Sequence, residues 1–425
     1  MVPADVAWMI VATALVLLMT PALAFFYGGL VRAKNALNTM MMSFVALGFI
    51  GVAWALLGYS LAFAPGTSLV GDLSRVFLKN VGLEAQGTIP HVLFMCYQGT
   101  FAIITAALIS GAIVERMRFG AYLTFLVLWA VIVYSPIAHW VWGGGWLAKL
   151  GALDFAGGTV VHVNAGVAAC VAAMLLGPRK DYARQAFLPH NVPFTLLGAG
   201  LLWFGWFGFN AGSALAASPI AALAFTTTML APAGTLCVWT LLDLMRGQKA
   251  TAVGAATAIV VGLVAVTPAA GFVSPLSALA LGAIATLPSY YALLLRVRTR
   301  LDDSLDVVAA HGVGGTVGAL LTGVFAQKSW NGVADGWLFG NGWQVVVQAV
   351  SISAVIVYGA VATFILLKLV SIFIPLRAKN EGLGLDVTEH GEEAYTSGEG
   401  AILVLPETDA PTLSAARLRT EGGRA

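Results

Sequence analysis

Eleven apolar windows recur along this chain, separated by short polar connections. Each is about 20 residues long, the length that spans a bilayer as an α-helix. A soluble protein of 425 residues could not bury them all, because 59% of its residues are hydrophobic and only 10% are charged. Ordinary globular domains carry roughly 25% charged residues. The sequence therefore predicts an all-α integral membrane protein with helices at 8–30, 40–62, 91–113, 120–141, 157–177, 192–213, 219–242, 251–272, 275–295, 305–326 and 345–374. The runs are continuous rather than alternating, which argues against a β-barrel. The 48 glycines lie within the apolar runs, where small residues let helices pack closely.

Basic residues orient the spans. With the N-terminus outside, the inner connections hold Arg32, Lys34, Arg116, Arg118, Arg179, Lys180, Arg184, Arg246, Lys249, Arg296, Arg298, Arg300, Arg377 and Lys379. The outer connections hold only Arg75, Lys79, Lys149 and Lys328. This is a strong positive-inside bias, and an odd number of spans then leaves the C-terminus in the cytosol. The expected location is the plasma or inner membrane, with the lipid bilayer as surroundings. No charged segment precedes the first span, so a cleaved signal peptide is not expected. Net charge is +2 without a basic cluster, and no nucleic-acid partner is implied. Cys96, Cys170 and Cys237 fall within predicted spans at wide spacing, which reads as small buried side chains. Neither a metal site nor a disulfide framework is visible, and no cofactor is expected.

Residues 1–377 read as one transmembrane domain. From 378 the composition turns to "KNEGLGLDVTEHGEEAYTSGEG", so 378–425 read as a cytosolic regulatory tail, disordered toward its end. The connection 63–90 is the longest between spans and reads as a surface cap. Within the membrane domain a pattern repeats: Asp154 precedes His162 by eight residues, and Asp303 precedes His311 by eight. These pairs open the fifth and tenth spans, which enter from opposite faces. Eight helical residues rise about 12 Å, against about 15 Å for half the hydrocarbon core. Both histidines are thus expected near the midplane, as a five-plus-five inverted repeat would place them, with the pathway at the repeat interface. The eleventh span stands outside the repeat.

Each aspartate can cap its helix by accepting from free backbone N–H groups; Asp154 can also orient groups at an outer cation site. An ionisable side chain deep in a span is a functional candidate. Buried imidazoles are expected neutral, each with one donor and one acceptor. Two such rings could share a proton and line a narrow pore. A structural buried pair and a bis-histidine haem site are the competing readings. His91, His139 and His190 lie near span ends and read as interface anchors, and His390 lies in the tail.

Aromatic residues gather at the outer ends of three spans. "CYQGTF" puts Tyr97 and Phe101 four apart on one helical face. "HWVWGGGW" puts Trp142 at the end of the fourth span, and "WFGWFGFNAGSA" puts Phe209 and Ser213 four apart at the end of the sixth. Aromatic belts are ordinary at membrane interfaces. Trp142, Phe101 and Ser213 together also make a cation site, since ring faces attract a cation and a hydroxyl accepts its N–H.

"DFAGGTVVHVNAG", "WFGFNAGSA", "FFYGGLVRAKN", "DDSLDVVAAHGVGG" and "GLDVTEHGEEAY" resemble the ammonium transporter (Amt/Mep/Rh) family, in its bacterial form. The resemblance covers about residues 5 to 397. It implies an eleven-helix fold and a homotrimer with a pore in each subunit. It further implies that Phe101, Trp142 and Ser213, with Asp154 near the entrance, recruit ammonium. Phe101 and Phe209 would be stacked rings gating the pore, and His162 and His311 the paired histidines lining it. Bacterial members are blocked from the cytosol by PII-type signalling proteins, and the C-terminal segment couples neighbouring pores. Tyr97 departs from a frequent phenylalanine, Ala309 and Ala310 from bulkier residues, and Leu305 from a cysteine. The expected function is ammonium transport by deprotonation and conduction of ammonia. A passive neutral-gas channel and an ammonium sensor signalling through its tail are the alternatives. An enzyme is disfavoured, because no nucleophile–base pair, phosphate loop or metal cluster is visible.

Overall fold

The computed structural model describes residues 1–395. Apolar runs with no water to satisfy their backbones can only close their hydrogen bonds internally, and the described chain folds into eleven principal helices. They are α1 (Pro3–Leu30), α2 (Ala33–Phe63), α3 (His91–Ala112), α4 (Phe119–Leu150), α5 (Gly158–Leu176), α6 (Val192–Gly212), α7 (Pro219–Met245), α8 (Ala252–Val266), α9 (Pro275–Arg296), α10 (Val308–Phe325) and α11 (Trp343–Phe373). All but α8 are long and apolar enough to cross a membrane. The backbone of α8 continues as tight turns through Phe272, which completes the span predicted at 251–272.

The helices pack as two related sets. α1 lies along α6, and α5 crosses the start of α10 as α10 crosses the start of α5. The correspondence extends to local geometry. Gly158–Val163 and Val308–Val313, the segments that carry the two histidines, are both π-helical. Such segments interrupt α-helices mainly at functional sites. The connection between α2 and α3 carries a short 3₁₀ turn at Val76–Leu78 and a two-stranded hairpin, β1 (Ala85–Gln86) antiparallel to β2 (Ile89–Pro90).

On the arginine-rich face, four connections are tied by one buried charge network. Glu115 accepts from Arg32 Nε (2.9 Å), Arg32 Nη2 (3.2 Å), Asn35 Nδ2 (2.9 Å) and Arg179 Nη1 (2.5 Å). Arg179 also grips Asp302 through Nε and Nη2, both at 2.9 Å. Arg116 Nη1 donates to Ser304 at 2.6 Å. Burial pushes the Glu115 and Asp302 carboxyls up, but the guanidiniums outweigh it and hold both below their ordinary values. Burial likewise lowers Arg116 to about 10. The described part of the tail docks on this face. Asp386 accepts from Leu37 N (3.0 Å) and Asn38 N (2.7 Å) at the start of α2, and Glu389 accepts from Phe119 N (2.9 Å) at the start of α4. Arg377 donates to Leu176 O (3.1 Å) and pairs with Glu381.

Two expectations need correction. Cys96 and Cys237 are exposed rather than buried, and Cys170 is half-buried; an all-apolar helix gives no stripe that separates outward-facing from core-facing positions. His91 and His139 are buried, not interface anchors. His91 joins Tyr59 Oη (2.6 Å) to Glu84 (2.9 Å), and His139 bonds Ala62 O and Thr67 O, each at 2.9 Å. Both pin the long connection to the bundle. His390 lies in the tail, as expected, and bonds Asn38 Oδ1 at 3.0 Å. The disorder expected toward the end of the tail, from residue 396 on, lies outside the described residues.

Candidate functional site

The two histidines meet. His162 and His311, from opposite ends of the bundle, bring Nδ1 to Nδ1 at 3.2 Å with ring centroids 5.2 Å apart. Two glycines permit this approach. Gly166, four residues after His162, lies so close to α10 that a Cβ on it would sit 2.4 Å from Gly312 Cα. Gly315, four residues after His311, lies so close to α5 that a Cβ on it would sit 3.0 Å from His162 Cβ. Each helix thus offers a glycine one turn beyond its own histidine to the other helix.

An Nδ1–Nδ1 contact needs one donor and one acceptor, so the two rings share one proton there. Their surroundings are apolar: Met19, Leu23, Phe26, Ile104, Leu108, Val161, Leu202, Trp206, Phe209 and Val260 complete the cavity. It offers about 10 Å³ to the centre of a water-sized molecule, room for about one. His162 Nε2 is buried there without a hydrogen-bond partner. Trp206 stacks beside the His162 ring at 5.5 Å; the sequence reading missed it, although it lies three residues before Phe209 on the same helical face. His311 also borders a second cavity of about 190 Å³, which it lines with Phe187, Thr257, Arg296 and Asp306 toward the arginine-rich face.

On the opposite side Phe209 bounds the cavity, its ring 4.2 Å from that of Phe101 with a tilt of 30°. Both rings are buried, at 1% exposure each. Beyond Phe101 the Trp142 ring stands edge-on at 5.9 Å and 88°. Ser213 follows the end of α6, its hydroxyl donating to Phe209 O at 2.9 Å. Phe101, Trp142, Phe209 and Ser213, which come from three helices, are therefore gathered at one mouth.

Asp154 organises this mouth through the backbone. Its Oδ1 accepts from Gly157 N (2.8 Å) and Gly158 N (2.6 Å). Its Oδ2 accepts from Thr159 N (2.8 Å), Val160 N (3.1 Å) and the Thr159 hydroxyl. The carboxylate thus satisfies the free donors at the start of α5, and its capacity is used up within its own chain segment. The Asp154 carbonyl accepts from Trp142 Nε1 at 2.9 Å, so one residue holds both the helix of His162 and the tryptophan. Asp303 does the same for α10, accepting from Val307 N (3.1 Å) and Val308 N (2.7 Å).

Comparison with known proteins identifies the family of the chain. The sequence model of the Ammonium Transporter Family matches residues 7–395. An ammonium transporter of Bacillus subtilis is 49% identical over 398 residues, covering 92% of this chain and 98% of that relative. Ammonium transporter Amt1 of Archaeoglobus fulgidus is 43% identical, covering 92% of this chain and 99% of that relative. The crystal structure of Saccharomyces cerevisiae Mep2 superposes with a TM-score of 0.82 at 38% identity, covering 87% of this chain and 88% of that chain. A structure described as a Sensor Amt Protein gives 0.85 at 30% identity, covering 91% and 98%.

Proposed function

The chain belongs to the Ammonium Transporter Family and is a multi-pass ammonium transporter, and we propose that it recruits the cation at Trp142, Phe101 and Ser213, strips a proton from it and passes ammonia along the His162–His311 pair. The observation that carries this reading is an imidazole pair in an apolar cavity, with His162 Nε2 left without a partner. A buried polar atom without a partner is costly, and a small hydrogen-bonding solute such as ammonia would satisfy it.

The chemistry follows from charge. An intact cation at the bilayer centre costs from about 3 to more than 10 kcal/mol. Ammonium can shed that charge with a proton; potassium, similar in size, has no neutral form. At the mouth, the Trp142 and Phe101 rings supply negative faces, and Ser213 offers an oxygen lone pair, its proton being directed at Phe209 O. Below the Phe101–Phe209 stack the dry cavity admits only what can cross uncharged. There one imidazole donates and the other accepts; the proton shed by the cation can cross the pair with both rings left neutral when it enters at the donor ring's Nε2, the shared Nδ1 proton passes to the acceptor ring, and that ring releases its Nε2 proton. Asp154 contributes by fixing α5 and Trp142.

Replacing either histidine by alanine tests this. Ammonium uptake by vesicles containing His162→Ala or His311→Ala should be abolished or should lose its selectivity against potassium. Wild-type uptake with potassium still excluded, in both variants, would overturn the role of the pair.

We read the mouth as the outer face, the arginine-rich face as cytosolic by the positive-inside bias, and the membrane as the plasma or inner membrane. Residues 1–377 are then the transporter domain and 378–425 a regulatory tail. The docking of Asp386 and Glu389 on the starts of α2 and α4 supports that last reading. The likeness to the family supports a homotrimer and a cytosolic PII-type partner. A sensing role is the second reading, favoured by the likeness to the Sensor Amt Protein. Ammonium signalling that persists in a conduction-dead variant would carry it.

A further inference from the structure

At the end of α6 one residue joins the gate and the recruitment hydroxyl to a neighbouring helix. Tyr97, on α3, is fully buried. Its hydroxyl lies 3.0 Å from Gly208 O, 2.9 Å from Phe209 O and 3.3 Å from Ser213 Oγ. Its ring meets Phe101 at 5.0 Å and 63°. The approach is tight, because a Cβ on Gly212 would lie 2.7 Å from the Tyr97 hydroxyl.

The need for this hydroxyl lies in how α6 stops. Ser213 N turns back to Asn210 O at 3.1 Å rather than to Phe209 O. The Phe209 carbonyl is thereby left without its helical donor, as carbonyls at helix ends are. Two hydroxyls serve it instead, from Tyr97 and Ser213. Tyr97 has a single proton, and the carbonyls are its nearest acceptors. Ser213 also spends its proton on Phe209 O, which leaves its remaining lone pairs to accept from a cation N–H.

We infer that Tyr97 is a positioning residue of the recruitment site: its hydroxyl fixes the end of α6 so that Ser213 presents an acceptor at the mouth while Phe209 stays stacked on Phe101. This rests on the reading of Ser213 as a recruitment residue. A phenylalanine at 97 would keep the ring contact with Phe101 and remove only the tether. Ser213 would then be held by Phe209 O alone and could swing its hydroxyl away from the mouth.

The test compares Tyr97→Phe, Ser213→Ala and the double variant in vesicles, with half-saturation and maximal rate for ammonium measured alongside the melting temperature of each purified protein. One neutral hydrogen bond corresponds to about three- to tenfold in affinity. Tyr97→Phe should raise half-saturation by about that factor with little change in maximal rate, and the double variant should be no worse than Ser213→Ala. An unchanged half-saturation in Tyr97→Phe while Ser213→Ala raises it would overturn the inference alone. Unchanged half-saturation in Ser213→Ala would instead remove the recruitment reading beneath it. Multiplicative effects in the double variant, or a lowered melting temperature with normal half-saturation, would make Tyr97 a packing residue only. Should Tyr97→Phe fail to fold, Gly212→Ala, which crowds the same hydroxyl, provides the comparison, with raised half-saturation expected and a wild-type value contradicting the tether.

Discussion

Replacing Asp154 separates a residue that holds the site from one that supplies charge to it. Its carboxylate accepts four backbone N–H groups, from Gly157, Gly158, Thr159 and Val160, together with the Thr159 hydroxyl. Alanine would orphan all four donors in a buried place. Each orphan costs about 1–3 kcal/mol; with some recovered by tightening of the first turn, the net loss is about 3–6 kcal/mol. Asparagine keeps one acceptor oxygen, enough for Gly157 and Gly158, but turns an NH₂ toward Thr159 N and Val160 N. The Thr159 hydroxyl can reverse and accept, so the expected cost falls to about 2–4 kcal/mol. Apparent melting of the purified protein should follow the order wild type, Asp154→Asn, Asp154→Ala, each at a fixed heating rate because such unfolding is seldom reversible. Uptake should fall in both variants, since His162 lies one turn beyond the cap and misplacement by ~1 Å can cost about 100-fold. If Asp154→Asn melted with the wild type and only its half-saturation rose, the carboxylate would be acting as a charge at the mouth, and the capping argument would fail.

Four other perturbations address separate parts of the account. Gly166→Ala drives a methyl into the α10 backbone at 2.4 Å from Gly312 Cα; overpacking of this kind costs about 1–3 kcal/mol, and uptake should drop as the imidazoles part, whereas wild-type uptake would show that their contact is dispensable. Glu115→Gln leaves Arg32 and Arg179 without their shared carboxylate, with an expected loss of about 3–5 kcal/mol in thermal or chemical unfolding; an unchanged profile would remove the network from the account. Glu115 and Asp302 are held below their ordinary values, so their stabilisation is complete above the unfolded carboxyl range near ~4 and is lost as pH falls through the lower folded values; the melting difference between wild type and Glu115→Gln should therefore be constant from about pH 5 to 7 and shrink below about 4, and a difference already shrinking at pH 6 would contradict this. Deleting residues from 381 onward removes the Asp386 and Glu389 contacts to the starts of α2 and α4 and should depress uptake, which normal uptake would contradict.

The parts legible in the sequence are those fixed by one helix at a time. Window length and apolarity gave the eleven helices to within a few residues at most ends. The equal Asp–His spacing and opposite entry placed His162 and His311 together because both observations concern depth along a single span. What stayed hidden depends on how helices face one another. Nothing in an all-apolar run distinguishes exposed Cys96 and Cys237 from buried neighbours, or picks Trp206 out of a tryptophan-rich segment as the ring beside His162. The Glu115–Arg179–Asp302 network joins residues up to 187 positions apart in sequence; only Arg179 of the three was counted, among the basic residues of the inner connections, where it told only orientation. His91 and His139 were misjudged for the same reason, since their partners, Tyr59 and Ala62 on α2 and Glu84 and Thr67 in the connection after it, depend on packing that the helical period does not describe. The tether from Tyr97 could be sensed only as a departure from a familiar residue, not as a hydrogen bond.

The central claim is that the substrate loses its charge before it meets the paired imidazoles. Electrical recording on vesicles containing the purified protein, with ammonium, methylammonium and potassium presented at equal concentration and driving force, alongside uptake of the amines, tests it most directly. The account predicts transport of ammonium with no potassium current above that of protein-free vesicles. A potassium current comparable in size to ammonium transport would mean that intact cations pass the Phe101–Phe209 stack, and the deprotonation mechanism would be wrong.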